Sequence, residues 1–211
     1  MKSNAAVVVS VNVGQPRTVE WRGRSVTSAI WKHPVDVAVT VDGVNVDGDD
    51  QADRRVHGGA DKAVYAYSSE DYAWWSAQVG ALTSGTFGEN LTTSGIDFDT
   101  ARIGDRWRVG TALLEVAQPR QPCFKLGIRM EDDSFPDRFA VAQRPGIYLR
   151  IVEAGTVAAG DSIEVIPTEL PAISIVSLVE DNDDVGFLRQ IAADPRVPDG
   201  WRRAARRALR P

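Results

Sequence analysis

"RIGDRWRVGTALLEVAQPRQPC", residues 102–123, decides how the rest of the chain is read. Apolar and alternating runs, "DRWRV" and "ALLEVAQ", are separated by Gly-Thr and then stopped by Pro119 and Pro122. Alternation cut by such residues is the pattern of β-strands. Trp107 sits in it as one large aromatic on a strand face, a commoner arrangement than a base-stacking platform. Proline fixes φ, lacks an amide donor and pushes the residue before it toward extended backbone. "PRQPC" therefore reads as a rigid loop that follows a strand and presents Cys123.

The same pattern extends outward. "AVVVSVNV" (6–13), "DVAVTVDGVNVDGDD" (36–50), "AVYAYS" (63–68), "GTFGENLTT" (85–93), "GIYLRIVEAGTV" (146–157) and "GDSIEVIP" (160–167) are strand-like and punctuated by Gly, Asp and Pro. Their spacing predicts a mainly β fold, a β-rich barrel rather than alternating βαβ units. One helix is predicted inside it, "SSEDYAWWSAQV" at 68–79, capped by Ser68 or Ser69, with Tyr72, Trp74 and Trp75 as core packing. Beyond "IPTELP" at 166–171, three short helices are predicted; Asp183 or Asp184 caps the second and Pro198-Asp199 starts the third. The expected organisation is an N-terminal strand region at 1–29 packing on a barrel at 30–166, then a small C-terminal helical subdomain at 170–211.

With 211 residues, 43% hydrophobic and 25% charged, the chain suits one core with a small appendage. A net charge of −5 argues against nucleic-acid binding through bulk electrostatics. The arginines at 202, 203, 206, 207 and 210 suggest either a helix-turn-helix or a solvated face balancing the acidic "EDNDD" at 180–184, and the second reading is preferred. No stretch approaches the ~18 apolar residues of a membrane span, and the N-terminus is too short and β-branched for a secretory signal. A cytoplasmic protein with no membrane partner is expected. One cysteine excludes an internal disulfide, and two histidines, His33 and His57, are too few for common zinc sites. HExxH, Walker A, GxSxG and GxGxxG are absent.

Three segments carry chemistry. Around Cys123, Arg120 and Lys125 would favour the thiolate, which is both a nucleophile and a soft-metal ligand. Lys125 is one of only four lysines among twenty-four basic residues. The competing reading of a lone cysteine is a small buried hydrophobe. In "VHGGADKAVYAYS", Gly58 and Gly59 permit close backbone approach or positive φ beside His57, Asp61 and Lys62; a plain turn with an exposed histidine is the alternative. In "GTFGENLTT", Glu89 and Asn90 offer a carboxylate and an amide either to a heterocyclic ligand or to the backbone of a turn.

The order of "VHGGADKAVYAYSSEDYAWW", "TFGENLTTSGID", "ARIGDRWRVGTALLEVAQPRQPC" and "KL" resembles the MOSC domain, the molybdenum cofactor sulfurase C-terminal domain. The likeness covers residues 30–166, and the tail is similar to the three-helix segment of the YiiM-type subgroup. The resemblance implies a β-barrel with peripheral helices and a pterin-based molybdenum cofactor that is absent from protein made without its biosynthesis. It implies Cys123 as molybdenum ligand or persulfide carrier. His57, Asn90, Arg120 and Lys62 are implied to line the same pocket. A family-level association with pyridoxal phosphate also belongs to the resemblance.

The implied activity is reduction of N-hydroxylated compounds of the hydroxylaminopurine type. Cys123, His57 and Glu89 are the catalytic candidates; Asn90, Arg120, Lys62, Lys125, Gly58 and Gly59 are the cofactor-binding ones. Such a reaction consumes two electrons and two protons, and no side chain stores the electrons. The chain has too few cysteines for an iron–sulfur cluster, so a separate electron-donor protein is expected. Two alternatives stand: a sulfur or cofactor carrier without turnover, and an interaction protein with a structural cysteine.

Overall fold

A computed structural model of the chain describes residues 5–52, 58–169, 172–180 and 183–210. In β7, Val64–Ser68, every residue is buried, so both faces of the strand are covered. Its odd and even positions go to different places, as the two-residue period of a strand requires. Val64 and Ala66 enter one core with Val8, Leu91, Leu114 and Leu149. Tyr65 and Tyr67 enter a second, aromatic core with Tyr72, Trp75, Phe87, Phe135 and Phe139.

An eight-stranded sheet runs in the order β13 (Ile163–Ile166), β9 (Arg106–Val109), β10 (Ala112–Pro119), β11 (Ile147–Glu153), β7, β8 (Leu91–Ser94), β1 (Val7–Val13) and β4 (His33–Val35). The sheet curls until β1 meets the start of β13. Val7 bridges Ser162, the Ile163 amide donates to the Ala6 carbonyl at 2.8 Å and the Val8 amide to the Asp161 carbonyl at 2.9 Å. These bonds tie β1 to the β13 edge of the same sheet, as in a β-barrel, and link the N-terminal strand to the barrel wall. A second sheet joins β12 (Gly155–Val157), β5 (Val39–Asp42) and β6 (Asn45–Val46); β2 (Arg17–Trp21) and β3 (Arg24–Ser28) form a hairpin.

One βαβ unit interrupts the antiparallel pattern: β7 and β8 pair in parallel across helix α1, Ser69–Val79. Parallel neighbours need such a crossover. Ser68 is the N-cap and its hydroxyl accepts from the Asp71 amide at 3.0 Å. Tyr72 and Trp75 are core residues as predicted, whereas Trp74 is partly exposed. Two helices unforeseen in the residue pattern follow the proline loop: α2, Phe124–Met130, and α3, Phe135–Val141. They bury Leu126, Phe135 and Phe139 in the aromatic core.

The tail carries three short helical elements. The first is a 3-10 turn at Val176–Leu178, which starts only after Ser174 has bridged Arg102 in antiparallel fashion. Ile103 donates to the Ile173 carbonyl at 2.8 Å, and Ile175 to that of Ala101 at 2.9 Å. Then come α4, Val185–Ala193, capped by Asp184 accepting from Phe187, and α5, Asp199–Ala208, with Pro198 at its N-cap. Ile173, Ile175, Leu178, Ile191, Val197 and Ala205 all belong to the barrel's own core. On α5, Arg202 and Arg203 pair with Asp199 at 2.5 and 3.1 Å, and Arg206 donates to the Ala192 carbonyl. These three arginines have partners within the tail; of the acidic turn at 180–184, Asp181 and Asn182 lie outside the described residues. Among the described residues no helix is long and apolar enough to cross a membrane.

Candidate functional site

Cys123 is the N-cap residue of α2, in extended backbone at φ −138° and ψ 165°. Its carbonyl accepts from Leu126 at 2.9 Å, while its side chain makes no capping bond. The strand before it continues to Pro119, which still pairs with Ile147, so only residues 120–123 form the loop. Leu126, anchored one turn later in the aromatic core, fixes where the cysteine stands.

Cys123 lines an open cleft whose empty volume, counted out to solvent, is about 590 Å³. One wall comes from Ser28, Ala29, Ile30 and Lys32 after the β2–β3 hairpin, another from Asp50, Gln51 and Ala52 beyond β6. Lys62 arrives on the 3-10 turn Ala60–Lys62, Tyr65 on β7 and Tyr148 on β11. Gly88 and Asn90 precede β8, and Arg120 and Lys125 flank the cysteine. Three of the chain's four lysines meet here, in a protein whose net charge is −5.

The predicted residues fare differently. Cys123, Lys62, Lys125, Arg120 and Asn90 share the cleft. Arg120 is a buried cation whose Nη1 donates to the Phe87 carbonyl and whose guanidinium lies 5.0 Å from the Tyr65 ring centroid. Asn90 is committed to the framework. Its Oδ1 accepts from the Tyr65 amide at 3.1 Å, and its Nδ2 donates to Asp49 Oδ2 at 2.9 Å.

Glu89 does not reach the cleft. It is fully buried, and its Oε1 accepts from Tyr72 Oη and the Gly85 amide at 2.6 Å each, and from Thr92 Oγ1 at 2.8 Å. Those partners hold the loop before β8, so the turn-satisfying reading of "GEN" describes it. The physical reason is local: the cleft is lined by Gly88 and Asn90, and the residue between them faces the other way. Burial raises the Glu89 pKa. Gly59 has φ +95°, the conformation glycine permits, and caps the Lys62 turn; neither it nor Gly58 lines the cleft. His57 lies outside the described residues.

Lys32 and Asp49 are functional candidates that motif reasoning missed. Lys32 Nζ donates to Asp49 Oδ2 at 2.5 Å, and both side chains are buried. Burial lowers the Lys32 pKa against the opposing pull of Asp49. Burial likewise lowers that of Lys62, against Asp61 and Cys123. The available signal was the scarcity of lysine: besides Lys2, every lysine faces this cleft.

The donor set fits an anionic group that also takes a sulfur ligand. A single thiol stands beside four cations from three separate stretches of chain, and among the described residues the one carboxylate in direct lining is Asp50. No group of three or more His, Cys, Asp or Glu able to hold a bare metal ion exists among the described residues.

Comparison with known proteins gives the family. The sequence model of one family, described as "MOSC domain", matches residues 53–164. "Uncharacterized protein YflK" of Bacillus subtilis (strain 168) is 33% identical over 207 residues, 96% of this chain and 94% of that one. A protein named "Reductase" from Gibberella moniliformis is 33% identical over 161 residues, 74% of this chain but only 28% of that longer protein. The crystal structure of YiiM from Geobacillus stearothermophilus superposes with a TM-score of 0.80 at 32% identity, covering 97% of this chain and 100% of the other.

Proposed function

The chain belongs to the MOSC domain family, and from that premise we propose that it is a molybdenum-cofactor-dependent reductase of N-hydroxylated compounds. The observation that carries this reading is the meeting of Cys123 with three lysines and Arg120 in one cleft. A reductase-named relative supports the reaction class.

The cofactor, when bound, supplies the two-electron redox chemistry at molybdenum that side chains lack. Cys123 offers sulfur to the metal. Lys62 and Lys125 would hold the anionic part of the pterin by charge, with Lys32, paired to Asp49, behind them, whereas the buried Arg120 braces the loop and adds to the positive field. The balanced reaction is R–NHOH plus two electrons and two protons, giving R–NH2 and water. Lys62 Nζ, whose pKa burial has lowered, releases a proton more readily than an exposed lysine and is the described proton source in the cleft. His57 is assigned the same task on the general acid–base chemistry of imidazole. Electrons arrive from a separate redox protein.

The test is molybdenum per chain in protein from cells that make the cofactor, with hydroxylaminopurine turnover driven by an artificial reductant. Cys123→Ser is expected to lose both metal and turnover. Metal retained by the variant overturns the ligand assignment. Metal bound by the wild type without turnover favours the alternative, a sulfur or cofactor carrier.

A further inference from the structure

The turn that brings Lys62 to the cleft is gripped from outside the cleft. Gln118 Nε2 donates to the Asp61 carbonyl at 3.1 Å, and Arg150 Nε donates to Asp61 Oδ1 at 2.7 Å. Both gripping side chains are held in turn by the tail. Trp201 Nε1 donates to Gln118 Oε1 at 3.0 Å, and Arg150 Nη2 donates to the Arg196 carbonyl at 2.7 Å. The remaining Arg150 nitrogen, Nη1, meets Glu115 Oε1 at 2.9 Å.

None of this is fortuitous packing of long surface chains. Gln118 is 7% exposed, and it stands where the register between β10 and β11 shifts. A bulge there re-aims a side chain that regular pairing would point elsewhere. Gln118 spends its amide nitrogen on one end of the chain of bonds and its amide oxygen on the other. Arg150 divides three nitrogens among the turn, its own barrel wall and the tail. A rigid fork suits such a junction better than an ammonium.

We infer that the C-terminal tail is a positioning element of the site: Trp201 and Arg196 hold Gln118 and Arg150, and these two hold the turn that presents Lys62 beside Cys123. The tail therefore acts on the cleft without touching it. Trp201 and Arg150 are positioning residues, and their role holds or fails independently of the molybdenum assignment.

Because Cys123 is the only cysteine, its alkylation reports on the cleft of the full-length protein without cofactor. The probes are iodoacetate, which is anionic, and iodoacetamide, which is neutral, at low ionic strength. The ratio of their rates measures local positive charge while cancelling general accessibility. Lys62→Gln is expected to lower the ratio about threefold, the effect of one unit charge several ångströms away in a water-like medium. Trp201→Phe, which keeps the ring but loses the donor, and Arg150→Lys, which keeps the charge but loses the fork, are each expected to lower it by about 1.5-fold or more. In a Lys62→Gln background neither should lower it further. An unchanged ratio in the folded variants overturns the inference. So does an equal drop in the Lys62→Gln background, or no response to Lys62→Gln itself. Either conservative variant suffices if denaturation shows it folded.

Discussion

Glu89 keeps one carboxylate oxygen engaged by three donors, while Oε2 has no hydrogen-bond partner. Burial is the largest influence on it and raises its pKa above the ordinary 4.5; the donors at Oε1 oppose that without cancelling it. A raised folded-state pKa means the folded chain holds the proton more tightly than the unfolded one. Its contribution to stability is present in full below the unfolded value and is lost as pH rises through the folded value. Glu89→Gln removes that loss and keeps an oxygen for the three donors. The denaturation midpoint of the variant relative to wild type should therefore shift in the variant's favour as pH rises above the ordinary carboxylate value of 4.5. A difference constant with pH would show that Glu89 titrates as an exposed carboxylate does. Cys123 is legible in sequence because prolines and charges surround it. Glu89 is not, because its spacing is the same whichever side of the loop faces the cleft.

At the scale of elements, the helix beginning at Ser69 was readable down to its cap. Ser followed by acids and an apolar face specifies a helix start through local bonds alone. Ser68→Ala should cost about 1 kcal/mol, read as a lowered midpoint in chemical denaturation. The loss passes to the aromatic core, since Tyr72 and Trp75 ride on α1. A variant as stable as wild type would show that this core, not the cap, sets the helix start. The first tail element, a 3-10 turn and not an α-helix, differs for an opposite reason. "AISIVS" has no local signal separating a helix from an extended stretch, and pairing with residues 101–103 decided it. The parallel β7–β8 pair was hidden similarly, since strand direction depends on a partner far away in sequence.

On the scale of the whole molecule, the tail does not come away cleanly. Removing residues 172–210 strips six side chains from the barrel's own core. At about 1–3 kcal/mol for each large apolar side chain, that loss rivals the ~5–15 kcal/mol total stability of a typical domain. The truncated chain should lose cooperative unfolding, as followed by circular dichroism. A truncated barrel with an unchanged melting transition would mark the tail as a separate unit. Any docking of an electron donor on the tail is therefore better probed by charge reversal at exposed Arg203 and Arg207 than by deletion.

The sequence by itself determined most of the longer strands, the starts of α1, α4 and α5 and the rigid loop that carries Cys123, because alternation, capping and proline geometry are local; it did not show β2, β3, β4, α2 or α3. Read in order, its segments also pointed to the family. Only the tertiary structure decided that Lys32 joins Asp49 and Asn90, that Glu89 is framework, and that Trp201 grips the Lys62 turn through Gln118. Those contacts join positions 17 to 83 residues apart. No local preference encodes them; they exist because one curled sheet, with a core on each face of β7, brings those stretches together.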